Sequence, residues 1–581
     1  MSLQRALLRY PTSGGRRWIA FDNPVESFVA NDLTDVAPVL AGVEAAAAAG
    51  LWVVGMVSYD AAPAFDPALR ALRSPDVALA SFAAFTQSRP SRGPASGDFQ
   101  IGEWTSTRIQ ADYEDDIRRV KELIAAGQTY QVNYTMRLTA DFDGDPLALF
   151  AAMSRAQRAD HLAFLDLGDH AVCSASPELF LRRSANTLET RPMKGTRPRH
   201  PDPITDAALA EELVISEKDR AENTMIVDMA RNDLGRLAQI GSLRTPELHT
   251  VESYPTVHQL TSTVAVDSDA SLNEIFAATF PGASITGAPK VATAGFIADL
   301  EQTPRGIYTG AVGAIEPGGD FEFNIAIRTA WIDRQNGVAT YGVGGGIVWD
   351  SDPTAEWQEA HDKARVLHRA AKPFRLLETI AWEPGAGAIL LDRHLDRLAA
   401  AAVHFGFDLD QQEVRRMLDS IRADTGIVVR VLIDLDGTVE LETRAMPTAV
   451  VAPIVVLDDR PIDRGDEFLR HKTTRRDRYD QALARFPDAT DVLLWNDQGQ
   501  ITESTIANVV VEIDNHRLTP AIESGLLPGT LRAELLATHR IAEAPITIED
   551  LRRATRFWLI NSVRGWTEVN LHPSTSRLDR V

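Results

Sequence analysis

The chain has 581 residues, enough for several domain-sized units, and its 44% hydrophobic and 24% charged content is that of folded rather than disordered protein. A formal net charge of −22 opposes general affinity for nucleic acid or an anionic membrane, so an anionic ligand needs a local cluster of cations or a metal ion. The single cysteine, Cys173, excludes intramolecular disulfides and cysteine-rich zinc sites, and it fits a reducing cytoplasm.

Met1-Ser2-Leu3-Gln4-Arg5 leads into no uninterrupted apolar core of a signal peptide. Val36 to Tyr59 carries only Glu44 as a charge, yet Pro38, Gly42, Gly50 and Gly55 interrupt it. The pattern predicts a helix over the alanines and a strand over Leu51 to Val57, not a membrane span. Ser88 to Gly97, rich in Pro, Ser, Arg and Gly, reads as an exposed loop. Tyr113 to Ala126 has helical spacing, Gly127 stops it, and Tyr130 to Leu138 alternates like a strand.

Arg191-Pro192-Met193-Lys194-Gly195-Thr196-Arg197 places a lysine between two arginines on what reads as a turn. Neighbouring cations disfavour an ammonium, which makes Lys194 a candidate nucleophile, with a solvated basic loop as the alternative. A long helical region from about Asp206 ends in Arg231-Asn232-Asp233-Leu234-Gly235, where the glycine suits a left-handed cap. Within it Asp219 and Glu222 are three apart and share a face, as do Glu356 and Glu359 in a later helix. Facing each other, the pairs would suit Mg²⁺; alone, each is an ordinary solvated face, and Lys363 allows a surface ion pair. Tyr341 to Val348 is a glycine-rich strand, followed by Asp352 as N-cap, Pro353, and a helix running toward Ala371. Pro373 ends that helix and Phe374 to Ile380 opens a new strand, which places a domain boundary between 1–372 and 374–581.

Residues 1 to 372 resemble the chorismate-utilising enzyme family, which includes component I of anthranilate and aminodeoxychorismate synthases with isochorismate and salicylate synthases as relatives. The resemblance rests on Gly55 to Asp60, Gly127 to Asn133, Ser176 to Phe180, the Lys194 segment, Lys218 to Gly235, Gly287 to Lys290, Arg305 to Gly310, Ile327-Arg328 and Asp350 to Lys363. It implies a fold of large antiparallel sheets within an α+β domain. It implies further that Lys194 attacks C2 of chorismate while Glu178 protonates the departing C4 hydroxyl, after which ammonia adds at C4. By the same resemblance Glu222 and Glu359 hold Mg²⁺, with Asp219 and Glu356 acting through waters. Tyr308, Arg328, Lys363 and the amides of Gly344 and Gly346 meet substrate carboxylates, and His258 lies near the ring. Lys194 and Gln131 are the discriminating positions, pointing to 4-amination with ammonia rather than water as nucleophile. Met193, Asp219, Asn223 and Ala283 depart from the family pattern.

Residues 374 to 581 resemble the class IV aminotransferase family, which uses pyridoxal phosphate (PLP) on a two-lobed α+β domain of fold type IV. The matches are His394 to Leu398, His471 to Arg475, Asn496 to Asn508 and Gly525 to Arg532. The resemblance makes Lys472 the cofactor lysine and Glu503 the partner of the pyridine nitrogen. Arg397, the amides of Ile506 and Ala507, and Thr530 form the phosphate cradle. Arg564 would hold a substrate carboxylate and Tyr479 is a candidate partner of the cofactor oxygen.

Together the two resemblances imply a bifunctional enzyme making 4-aminobenzoate from chorismate by way of 4-amino-4-deoxychorismate. The rivals are the same synthase joined to a true transaminase, an anthranilate-forming enzyme, and a chorismate-binding assembly protein without activity. Cys173, in Ala171 to Ser176, lacks the glycine-flanked elbow of a glutaminase, so a separate glutamine amidotransferase subunit or free ammonia is expected. A homodimer is expected by analogy with other PLP domains of this type.

Overall fold

A computed structural model describes residues 2–12, 15–95, 97–157, 159–199, 203–254, 257–364, 366–367, 374–448 and 453–572. The chain divides into two compact units, Met1–Pro373 and Phe374–Val581.

The first unit is built on two large antiparallel sheets, of 11 and 10 strands. Alternating apolar residues from one face of each, including Leu8, Phe21, Leu165 and Val172 against Val54, Met56, Phe85 and Val312, form a core between the sheets. The outer face of the first sheet is covered by helices Gln110–Ala125, Pro146–Gln157 and Pro353–Lys363. Leu33–Ala48 and Leu272–Thr279 cover the outer face of the second. This α+β arrangement is the one expected.

Several local readings hold and others do not. Strands occupy Trp52–Val57, Gln131–Gly144 and Val338–Ile347. Asp352 caps its helix by accepting from Ala355 N at 2.9 Å, and the helix's expected continuation toward Ala371 lies largely outside the described residues. The helix Leu33–Ala48 runs through Pro38 and Gly42. The loop read over Ser88 to Gly97 contains the short strand Arg89–Ser91. The long helix read from Asp206 is two helices, Pro203–Ile215 and Glu217–Gly235, because Ser216 leaves helical geometry to cap the second through Asp219 N. Gly235 does not adopt the expected left-handed cap; the chain leaves through Arg236 with φ of −70°.

The second unit has two lobes. A 4-stranded antiparallel sheet, containing Leu376–Glu383, Ile427–Ile433 and Val439–Ala445, packs on the amphipathic helix Leu391–Phe405 through Leu395, Leu398, Ala402 and Phe405. A 9-stranded mixed sheet carries Asp491–Trp495, Ile501–Ser504 and Asn508–Ile513, flanked by the helix Thr530–Ala537.

Candidate active sites

Lys194 lies not in a turn but in the strand Met193–Pro198, at a β-bulge. Met193 pairs with Thr261 and Thr196 with Gln259, so three steps on one strand match two on the other. Gly195, at φ +99°, makes the extra residue affordable, since a side chain there would both strain the backbone and press on Asp219. Asn223, buried in the helix Glu217–Gly235, fastens the bulge by donating to the carbonyls of Lys194 and Leu260 at 3.4 and 3.3 Å. The position of Asn223, noted in the sequence only as a departure, thus has a structural task.

The expected crowding of Lys194 by arginines does not occur. Arg191 pairs with Glu247 and Glu252, and Arg197 with Glu212 and Asp219, so both guanidiniums are already neutralised. Lys194 Nζ instead faces Glu222 at 3.3 Å. A β-carbon at Gly346 would stand 2.6 Å from Lys194 Nζ and 2.8 Å from Gln131 Nε2. The bare glycine strand Val338–Ile347 therefore admits Lys194 and Gln131 to the same spot. Neither polar atom of the buried Gln131 side chain has a hydrogen-bond partner among the described residues.

Glu178, 4% exposed, accepts from Ser284 Oγ at 2.6 Å, and burial pushes its carboxyl up to about 7 against the opposing influence of Lys194. The two expected carboxylate pairs flank Lys194, whose charge acts on both Glu356 and Glu359. Each carboxylate has its own partner: Glu222 has Lys194, Asp219 has Arg197, Glu359 has Lys363 at 2.8 Å, and Glu356 accepts from Ser351 Oγ at 2.6 Å. Burial and Glu359 raise the Glu356 carboxyl, whereas Lys363 lowers that of Glu359. Among the described residues no three His, Cys, Asp or Glu side chains close on one point as a metal cluster. The donors are nonetheless oxygen only, the chemistry that Mg²⁺ prefers, and they fit it in kind.

Lys363 Nζ also donates to Gly344 O at 2.7 Å, and Arg328 Nη1 donates to Lys363 O. Tyr308 packs its ring so tightly on Gly342 that a β-carbon there would lie 2.2 Å from the ring. Tyr308, Arg328, Lys363, Gly344 and Gly346 thus meet around one glycine strand. His258 is placed differently. It lies across from Arg197, with Nδ1 at 2.9 Å from Ser253 Oγ and Nε2 at 3.0 Å from Asp206 Oδ1.

In the second unit a cavity of about 420 Å³ is lined by Lys472, Glu503, Arg397, Arg476, Thr530 and Arg564 among others. Lys472 is held where its carbonyl accepts from Leu377 N, and burial with Arg397 pushes its amine down to about 8. Burial pushes Glu503 up to about 8, against Tyr479 OH and Leu527 N, which donate to it at 2.7 and 3.2 Å. Tyr479, the candidate partner of a cofactor oxygen, thus has its hydroxyl on Glu503 in this structure.

Arg397 is fixed by Glu378, which accepts from its Nε and Nη2 at 2.8 and 2.6 Å and from His394 Nδ1 at 2.7 Å. Burial alone would raise the Glu378 carboxyl, but Arg397 and His394 hold it well below the usual carboxylate range. Glu378 escaped the sequence reading; its signal is a glutamate inside the apolar run Leu376-Leu377-Glu378-Thr379-Ile380. Thr530 opens the helix Thr530–Ala537, and the preceding Gly529 is required, as a β-carbon would lie 1.9 Å from Asn508 Oδ1. Ala507 N, expected in the phosphate cradle, donates to Ser504 Oγ at 3.1 Å, while Ile506 lines the cavity beside it. A helix N-terminus, a fixed arginine and a lysine facing a carboxylate in a cavity of this size fit PLP.

Residues 5–369 match the family of chorismate binding enzymes, more than half of the chain, and the chain belongs to that family. Residues 375–571 match the class IV amino-transferase family. Aminodeoxychorismate synthase component 1 of Klebsiella aerogenes is 42% identical over 282 residues, covering 48% of this chain and 62% of that protein. Aminodeoxychorismate synthase of Streptomyces griseus is 46% identical over 259 residues, 44% of this chain and 35% of that protein. The chain thus matches about three-fifths or less of the length of these curated relatives. The crystal structure of anthranilate synthase component I from Streptococcus pneumoniae shares the fold of the first unit, with a TM-score of 0.53 and 23% identity over 63% of this chain and 92% of that one.

Proposed function

We propose that the chain is a bifunctional enzyme that converts chorismate and ammonia to 4-amino-4-deoxychorismate and water, then cleaves that product to 4-aminobenzoate and pyruvate. The observation that carries the first reaction is Lys194 at the glycine strand, its charge felt by Glu178, whose carboxyl burial pushes up to about 7. Lys194 Nζ forms a bond to C2 as the C4 hydroxyl leaves, and Glu178 supplies the proton that makes it water. Ammonia then bonds to C4 as the C2–Nζ bond breaks and releases the lysine amine, and the proton shed by the new C4 ammonium returns to the Glu178 carboxylate. Gln131, in place of a charged base, suits ammonia, which needs no deprotonation before attack. Glu222 and Glu359 would hold Mg²⁺, with Asp219 and Glu356 through waters; the ion would supply positive charge for one substrate carboxylate. Arg328, Tyr308, Lys363 and the Gly344 and Gly346 amides would take the other. We assign His258 to bracing Asp206 and Ser253 rather than to the reaction.

In the second unit Lys472 would bind PLP and afterwards remove the proton from the amine-bearing carbon, with Glu503 at the pyridine nitrogen and Arg397, Ile506, Ala507 and Thr530 around the phosphate. The cofactor supplies an electron sink for that carbanion. Loss of pyruvate then leaves an aromatic ring. Arg564 and Arg476, at the same cavity, suit a substrate with carboxylates. Ammonia would come from a separate glutamine amidotransferase or from solution, since the buried Cys173 donates to Pro146 O and burial raises its thiol.

Supplying chorismate, ammonium, Mg²⁺ and PLP tests the reading through the product. 4-Aminobenzoate with equimolar pyruvate, without any amino-acceptor keto acid, is expected. The ortho isomer would make the chain an anthranilate former, and a requirement for a keto acid would make the second unit a transaminase.

A further inference from the structure

Glu301 ends the helix Lys290–Glu301 beneath the glycine strand and is fully enclosed. Its Oε1 accepts from Thr135 Oγ1 at 2.7 Å, Thr135 N at 3.0 Å and Arg305 Nη2 at 2.6 Å. Its Oε2 accepts from Arg305 Nε at 3.0 Å and Arg137 Nη2 at 3.1 Å. Burial works against the carboxylate, but the two guanidiniums keep it ionised. Asp60, buried nearby and accepting from Gly306 N at 2.9 Å, adds a second carboxyl facing both guanidiniums, so the group is a closed charge network rather than a lone pair.

The group connects to the proposed carboxylate-binding residues by two routes. The Arg137 guanidinium lies 5.1 Å from the centre of the Tyr308 ring, which is pressed on Gly342. Arg137 and Thr135 are also the strand partners of Gly342 and Gly344. Arg305 reaches Thr309 Oγ1 at 3.2 Å and the carbonyls of Ile285 and Asn133 at 2.8 and 2.7 Å.

Thr309 and Arg328 are both left-handed, at φ +61° and +51°, an arrangement that side-chain-bearing residues keep only when their surroundings impose it. Their loops are strapped together: Thr309 N donates to Ala326 O at 2.9 Å and Ala326 N to Gly310 O at 2.8 Å. Tyr308 and Arg328 therefore approach the glycine strand from two strained loops, one of which Arg305 fastens to Glu301.

We propose that Glu301 is a positioning residue for the carboxylate subsite: with Arg137 and Arg305 it fixes Tyr308 and the Thr309 loop beneath the glycine strand, where the substrate anion would be held. The proposal rests on the reading of the first unit as a chorismate-using enzyme. It predicts that loss of Glu301 weakens chorismate recognition more than turnover.

The double replacement E301Q/R137Q removes one charge of each sign and leaves Arg305 its carbonyl acceptors. Expected is a native near-ultraviolet circular dichroism spectrum with the KM for chorismate raised about tenfold or more and kcat nearly unchanged, and substantial recovery of KM in E301D, which keeps the charge. T309G relieves the left-handed strain and cuts the Arg305 bond without burying a charge; it should raise KM in the same sense, and it decides the matter if the double variant fails to fold. A folded E301Q/R137Q or T309G protein with the wild-type KM overturns the proposal. Calorimetric titration of the unaltered protein with chorismate separates the two levels. Binding by the parent that is unchanged in the variants sinks only the role of Glu301, whereas no binding by the parent sinks the functional reading together with it.

Discussion

The two lysines at the centres of the two units are managed in opposite ways. Lys194, 18% exposed, sits among carboxylates and is balanced by Glu222. Lys472 lines a cavity with several arginines, and desolvation and Arg397 push its amine down to about 8. The carboxyl groups nearby follow the same logic from the other side: Glu178 and Glu503 are both pushed up by burial, to about 7 and about 8. The contrast teaches that one lysine is held in place by ion pairs while the other is taken out of water, and that the two devices respond differently to mutation and pH.

The largest expected effect is from Lys472→Ala, which should cut pyruvate release by about 10⁴-fold and abolish the visible absorbance change on adding PLP, while 4-amino-4-deoxychorismate accumulates. If that variant still released pyruvate normally, the cavity would not be the reaction site. Lys194→Ala should lower formation of that intermediate by about 10³-fold, leaving PLP uptake untouched, as judged by product chromatography and absorbance. Unequal coupling, with both readouts falling in one variant, would break the comparison.

Smaller effects sharpen it. Because the Glu178 carboxyl is raised to about 7, its proton-donating form is present below that pH and lost above it. The synthase rate should fall as pH rises through about 7, and Glu178→Gln should remove that limb along with about 10²-fold in rate. Lys472 works in the reverse sense: its free amine appears above about 8, so the rate of PLP uptake by the cofactor-free protein should climb through that pH. Smallest is Gly346→Ala, whose new β-carbon meets only the mobile end of Lys194 and the Gln131 amide. It should slow the synthase about tenfold with little change in melting temperature.

Motifs made both lysines, Glu178, Glu503 and the carboxylate pairs legible in the sequence, because each belongs to a short segment with distinctive neighbours. What stayed hidden depended on partners far along the chain. Arg191 and Arg197 look like a cationic cage until Glu247, Glu252, Glu212 and Asp219 arrive to neutralise them. Glu301 carries no motif of its own, and only Arg137, 164 positions away, together with Arg305 reveals a buried triad. Gly235 followed a sound local rule for ending a helix, but the chain continues through Arg236, which donates to Ala278 O and pairs with Asp233. The sheets were easier, since alternation and glycine content are properties of each strand by itself.

The bulge at Lys194 has a consequence for how such a protein can change. By absorbing one surplus residue between Met193 and Thr196, it detaches position 194 from the alternation that governs the rest of its strand. Exchanging the side chain at 194 leaves the paired positions on either side in step, so the sheet tolerates a change there that Glu222, Gln131 and Gly346 would have to accommodate.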